Sequence, residues 1–243
     1  MLLAITEYLE RIFGGTAEEY AQRAERAMLS GERLFVVTAN PEIIMHAQKD
    51  PEVDRLLRAK EAEIVPDGIS VVKAMRMLGL EARERVTGVD LADKLLRAAG
   101  RQGKTVFLLG AKEEVVSALA QKLRREYPGV TVHYRNGYEG DKDKIFDGIA
   151  AIAPDLTLVA LGAPAQDLLI YRRLKDFSRG VFMGVGGSFD VLSGSKRRAP
   201  AFFVRTNTEW LYRILREPSR LGRFWNNNVK FLGEVRRAAR GGR

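Results

Sequence analysis

Cysteine is absent from the 243-residue chain, which excludes a disulfide framework, a thiolate metal site and a cysteine nucleophile. Histidine is almost absent. His46 and His133 stand without a neighbouring ligand cluster, so no histidine-based metal site is expected. No apolar run approaches the roughly 18 residues of a membrane-spanning helix. The start, Met1-Leu2-Leu3-Ala4-Ile5-Thr6-Glu7, has no basic region and meets an acidic residue too early for a secretory signal. These absences fit a reducing cytoplasm and a chain that can meet a membrane only at its surface. Neither GxGxxG nor GxxxxGK[ST] occurs, so no specific nucleotide class is signalled and a nicotinamide-dependent dehydrogenase is weakened.

What is present is a globular composition, 46% hydrophobic, long enough for one α/β core with a small appendage. Its charge is unevenly placed. The net charge is +9, yet residues 195–243 hold 13 Lys/Arg against 3 Asp/Glu, leaving 27 against 28 in residues 1–194. A near-neutral body with a basic tail predicts a soluble domain that meets a polyanion at one end: nucleic acid, an anionic membrane or a phosphorylated substrate. Both tryptophans, Trp210 and Trp225, lie in that tail.

The apolar pattern predicts the elements. Ile5, Leu9, Ile12 and Phe13 recur at helical spacing up to Gly14-Gly15, and Thr16 with Glu19 forms a capping box for a second helix to about residue 29. Leu34–Val37 reads as a buried strand, followed by Asn40 as a helix cap and Pro41 in its first turn. Further strands are predicted around 64–65, 104–109, 130–134, 156–161 and 181–185. Helices are predicted to about residue 78 and over 113–126, 142–152 and 166–177. Continuous apolar strands alternating with helices imply a Rossmann-like, mostly parallel α/β sheet covered by helices. The composition breaks near Ser193-Gly194-Ser195. The organisation predicted is therefore a domain over 1–194 and a short helical basic appendage over 195–243.

Ligands of open α/β sheets bind beyond the carboxyl ends of the strands. Loops there include Thr38-Ala39-Asn40, Pro66-Asp67-Gly68, Asn136-Gly137-Tyr138, Gly162-Ala163-Pro164-Ala165-Gln166 and Gly184-Val185-Gly186-Gly187. They suit a nucleotide diphosphate, because glycine turns and helix N-termini present N–H groups to phosphate. Tight turns without a ligand would look the same. Asp67 either serves as a general base or caps the following helix. Asp141-Lys142-Asp143 resembles a metal-binding DxD but sits at a helix start, where capping explains it. Arg85 either contacts phosphate or makes a surface ion pair.

The tail arginines Arg213, Arg216, Arg220 and Arg223 share one side of a helix at 3, 4 and 3 spacing, beside an apolar stripe that includes Trp210, Leu215, Leu221 and Trp225. Pro218 predicts two short helices there rather than one. Such a segment suits a lipid headgroup layer. The alternatives are a helix packed on the body with solvated arginines, or a nucleic-acid-binding surface. Against nucleic acid, the neutral body offers no basic groove and no standard nucleic-acid motif occurs.

Taken in order, Thr38-Ala39-Asn40-Pro41-Glu42, Pro66-Asp67-Gly68, Arg85-Val86-Thr87-Gly88, Leu161–Gln166, Gly184–Asp190, Arg198-Ala199-Pro200, Glu209–Arg213 and Glu217-Pro218-Ser219-Arg220-Leu221 closely resemble the WecG/TagA/CpsF glycosyltransferases over residues 33–235. Asp167 departs from that pattern, where the family usually carries Glu. The resemblance implies an inverting, metal-independent transferase. It would move N-acetylmannosamine or a related sugar from a UDP-sugar to undecaprenyl-diphosphate-GlcNAc, in wall teichoic acid or surface polysaccharide synthesis. By the same resemblance Asp67 is the base and Arg85 steadies the leaving group. Thr38, Asn40 and Gln166 position the sugars, Tyr138 and Asp190 bind the donor, and Arg213, Arg220 and Arg223 hold the acceptor diphosphate. An anionic inner-leaflet surface is then the expected partner, and homo-oligomers remain open.

Overall fold

The computed structural model describes residues 2–216 and 220–241, with no description of the side chains at positions 2–4, 213, 220, 223, 224, 226 and 227. The chain opens with α1 (Leu2–Glu10) and α2 (Ala17–Ser30), then β1 (Arg33–Ala39), α3 (Pro41–Ala47), α4 (Pro51–Arg58), β2 (Ala62–Pro66) and α5 (Ile69–Met77). The second half runs α6 (Gly88–Arg101), β3 (Thr105–Gly110), α7 (Glu113–Glu126), β4 (Thr131–Arg135), α8 (Lys142–Ile152), β5 (Leu156–Ala160), α9 (Ala165–Arg173) and β6 (Gly180–Gly184). After it come α10 (Ser188–Leu192), α11 (Ala201–Arg205), α12 (Glu209–Arg216) and α13 (Arg220–Gly241).

All six strands are parallel, in the order β2-β1-β6-β5-β3-β4. Strand residues alternate between two apolar layers. Phe35, Val37, Leu109 and Phe182 enter one, while Leu34, Val36, Leu108 and Met183 enter the other. This double burial is why the strands read as unbroken apolar runs.

Local chemistry sets the helix starts. Thr16 and Glu19 form the full capping box of α2, Asn40 Oδ1 accepts from Ile43 N at 3.0 Å with Pro41 in the first turn of α3, and Asp141 caps α8. The first helix is shorter than its periodicity predicts. It ends at Glu10, and Ile12 instead forms a parallel bridge with Ile64 while Phe13 N donates to Ile64 O at 2.8 Å. The otherwise open edge of β2 is a stronger attractor for this segment than one more helical turn. Three helices of the body, α4, α6 and α10, were not among those expected.

Of the two short helices expected in the tail, α12 is one, but the second is long. The tail holds α11 and α12 and then the 22-residue α13, while Pro218 lies outside the described residues. Helix α13 packs against α1, α3 and α5. Phe231 and Val235 are fully buried in the same layer as Ile5, Ile44 and Val72. No helix among the described residues is long and apolar enough to cross a membrane.

Candidate active site

The carboxyl edge of the sheet carries two groups of residues. The first is at β1 and β2. Asp67 N donates to Ala39 O and Val86 N to Pro66 O, each at 2.8 Å, so the end of β2 is pinned between β1 and the loop leading to α6. Thr38 and Asp67 then face the first residue of α6. A Cβ placed on Gly88 would lie 3.7 Å from Asp67 Oδ2 and 3.8 Å from Thr38 Oγ1. The N-cap position of α5 is taken by Gly68, the residue after Asp67, and it makes no side-chain cap hydrogen bond. Asn40 does cap, at the start of α3 beside Thr38.

The second group surrounds β5, β6 and β3. Here β3 connects outward to β4 while β5 connects the opposite way to β6, which makes the gap between β3 and β5 the topological switch point. Ala111 N donates to Ala160 O at 3.0 Å and Gly137 N to Ala111 O at 2.8 Å, so the turns after β3, β4 and β5 meet there. Gly110, at φ 123°, is required by that approach, because a Cβ would come within 2.3 Å of Ala160 O. Gln166 is only 3% exposed. Its Oε1 accepts from Gly162 N at 3.1 Å and Gly186 N at 3.0 Å, tying the turns after β5 and β6 together. Tyr138, 77% exposed, stands on the adjacent turn, which Asn136 Oδ1 shapes by accepting from Tyr138 N and Glu139 N at 3.0 Å. Asp190 lies in the first turn of α10, 3.5 Å from Lys196 Nζ.

Three strand spacings separate β2 from β5, roughly 14 Å at the usual inter-strand distance. Glycine turns of β6 lie between. The edge therefore places a carboxylate at one end and the glycine turns tied by Gln166 at the other.

Arg85 is an ion pair, as one sequence alternative had it, but a buried one. Its Nη2 lies 2.7 Å from Glu209 Oε2 of α12, with side chains 14% and 7% exposed, and also donates to Val204 O. Arg198 Nε meets the other oxygen of Glu209 at 3.2 Å and grips Asp90 with both terminal nitrogens. Burial works to raise the Asp90 carboxyl, but Arg198 and Thr87 hold it below the ordinary value. The Asp90 contact in turn raises the Arg198 guanidinium. This network borders a cavity of about 400 Å³ lined in part by Ile69, Arg83, Thr87, Lys94, Arg205 and Asn207.

The structure thus brings Thr38, Asn40 and Asp67 together at one end and Gln166, Asp190 and Tyr138 toward the other, with Arg85 turned to the tail. The side chains of Arg213, Arg220 and Arg223 lie outside the described residues. Sequence reading gave no individual role to Asp90, Arg198 or Glu209, whose pairing spans up to 124 positions. The acidic pair in Asp141-Lys142-Asp143 is engaged locally: Asp141 accepts from Asp143 N at 2.9 Å, and Asp143 pairs with Arg173 at 3.3 Å. Among the described residues no three His, Cys, Asp or Glu side chains group as metal ligands do.

A parallel α/β sheet with a carboxylate and glycine turns on its carboxyl edge has the layout of a nucleotide-binding α/β enzyme. The comparisons narrow the class. The chain belongs to the glycosyl transferase WecG/TagA/CpsF family, whose model matches residues 9–243. It is 41% identical over 187 residues to the N-acetylglucosaminyldiphosphoundecaprenol N-acetyl-beta-D-mannosaminyltransferase of Bacillus spizizenii, a match covering 76% of this chain and 72% of that one. It is 37% identical over 212 residues to the enzyme of the same name from Staphylococcus aureus, covering 87% and 83%.

Proposed function

We propose that this glycosyltransferase moves N-acetylmannosamine from a UDP-sugar to GlcNAc-diphosphoundecaprenol, on a route to wall teichoic acid or a surface polysaccharide. The relatives' names supply the acceptor and the transferred sugar. The observation that carries the reading in this chain is the placement of Asp67 and Thr38 at the first turn of α6, across the sheet edge from the turns tied by Gln166.

The reaction is a single displacement. Asp67 takes the proton of the acceptor hydroxyl as its oxygen bonds to the anomeric carbon, and the bond from that carbon to the UDP oxygen breaks on the opposite face. Inversion follows. Thr38, Asn40 and Gln166 orient the sugars, and orientation of this kind lowers a barrier by several kcal/mol. Tyr138 offers an exposed ring to the base of the donor, and Asp190 a carboxylate to its hydroxyls. The departing diphosphate gains charge that cationic side chains stabilise. The tail arginines Arg213, Arg220 and Arg223 are assigned to that task and to the acceptor diphosphate, while Arg85, engaged with Glu209, anchors the loop before α6 to the tail. No divalent cation is required in this scheme. The capping and ion-pair roles of Asp141 and Asp143 support that reading.

The tail also provides the membrane contact. Phe202, Trp210, Leu215, Leu221, Trp225 and Val229 are exposed, all on α11 to α13, within the most basic part of the chain. Aromatic and basic side chains together suit an anionic inner leaflet. An assay of UDP release from UDP-N-acetylmannosamine, with and without an undecaprenyl-diphosphate-GlcNAc analogue, tests the function. Lipid-independent release, or salt-sensitive DNA binding without release, contradicts it.

A further inference from the structure

Asp90 and Arg198 have no part in the mechanism above, yet they meet at a helix turn that faces its base. Helix α6 starts at Gly88, with Thr87 as its N-cap. Thr87 Oγ1 accepts from Asp90 N at 3.2 Å, and the hydroxyl donates to Asp90 Oδ2. Arg198, on the segment between α10 and α11, donates to both Asp90 oxygens, with Nη2 2.8 Å from Oδ2. Its Nε donates to Glu209 Oε1 at 3.2 Å, so the guanidinium is held from the tail while it grips the turn. All three Arg198 nitrogens are thus used on two carboxylates, and such a grip fixes direction as well as distance.

Two features of the turn make that grip matter. The first turn of a helix lacks the backbone partners that hold later turns, so its shape depends on its cap. Here the cap is followed at once by a glycine, the residue with the most conformational freedom to lose. That glycine is also the one facing the sheet edge. A Cβ on Gly88 would lie 3.7 Å from Asp67 Oδ2 and 3.5 Å from Thr38 Cγ2. Unwinding this turn would therefore change the surroundings of Asp67 directly. The Asp90–Arg198 pair contributes little to overall stability, because its side chains are 46% and 28% exposed.

We propose that Asp90 and Arg198 are positioning residues for the base: gripped by Arg198, the Asp90 carboxylate holds the Thr87 cap and so keeps the first turn of α6 against Asp67 and Thr38. The proposal rests on the reading of Asp67 as the base given above. Both residues act through the helix turn, with no contact to substrate.

A double-mutant cycle on turnover tests it. Arg198→Gln removes the grip on Asp90, whereas Arg198→Lys keeps the charge but not the two-pronged geometry. Each is made in the parent chain and in Asp67→Asn. Single-turnover UDP release with UDP-N-acetylmannosamine and an undecaprenyl-diphosphate-GlcNAc analogue is measured, with UDP affinity by calorimetry and the thermal midpoint. In the parent, Arg198→Gln should slow release about tenfold or more with UDP affinity unchanged, and Arg198→Lys should fall between. In Asp67→Asn the same change should cost at most about twofold, because residues acting as one unit are not additive. An equal loss in both backgrounds marks a merely structural role and overturns the proposal, as does a parent-like Arg198→Gln. If Arg198→Gln does not fold, the Arg198→Lys cycle decides by the same comparison. An Asp67→Asn chain of near-parent rate overturns the base reading itself, and the proposal falls with it.

Discussion

Arg85 and Glu209 form a nearly buried ion pair 2.7 Å long that joins the loop before α6 to the start of α12. Three residues beyond Arg85 is Gly88, whose Cα faces Asp67 and Thr38. The tail is therefore coupled to the neighbourhood of the proposed catalytic carboxylate through a short piece of backbone. Removing one partner strands the other charge, at a cost of about 3–5 kcal/mol for a buried pair. Glu209→Ala should lower stability by that order. Arg85→Ala added to it should cost much less than a second full increment, because the stranded guanidinium is gone. Urea unfolding of the two single variants and the double variant measures the coupling; additive losses contradict it.

Asp67→Asn keeps the shape of the side chain and removes its basicity. Turnover should fall by roughly 10²–10⁴, the range of a lost general base, with UDP affinity unchanged. Single-turnover kinetics and calorimetry separate the two. A variant of near-parent activity shows that the acceptor hydroxyl is deprotonated elsewhere.

Stability should depend on pH through Asp167. Its carboxyl is raised from 3.8 to about 7 by burial, so the folded state holds a proton that the unfolded chain releases. The stabilising contribution is full below about pH 4 and is lost as pH rises toward 7, at up to about 1.4 kcal/mol per unit for one group. Denaturant midpoints from pH 4 to 8 should show that slope in the parent, and Asp167→Asn should lack it.

Trp225 is 63% exposed on α13, so Trp225→Ala should leave the fold intact. Loss of its insertion should weaken binding to vesicles of anionic phospholipid roughly tenfold or more. Co-sedimentation reads this. Phe231→Ala is the contrasting variant: it empties a fully buried position and should cost about 3–5 kcal/mol.

Much of this was legible in the sequence wherever the cause is local. The Thr16–Glu19 box, the Asn40-Pro41 helix start and the apolar strands depend on neighbours within a few positions. Ile12 was misread because a bridge to Ile64 depends on an open edge 52 positions away. Asp67 reads as base or cap in the sequence because its position before a helix suits both, and the N-cap position of α5 itself belongs to Gly68. Arg85 was singled out, but its partner was not, since no spacing rule connects it to Glu209. The burial of Asp167 comes from packing between α9 and β6, and nothing in the residues flanking it announces that.

The central claim is that the sheet edge transfers a sugar from UDP to a lipid-linked acceptor, and it is tested most directly by UDP release from UDP-N-acetylmannosamine in the presence and absence of an undecaprenyl-diphosphate-GlcNAc analogue. The account predicts release that requires the lipid acceptor and disappears with Asp67→Asn. Release that is indifferent to the acceptor, or that survives in the Asp67 variant, contradicts it.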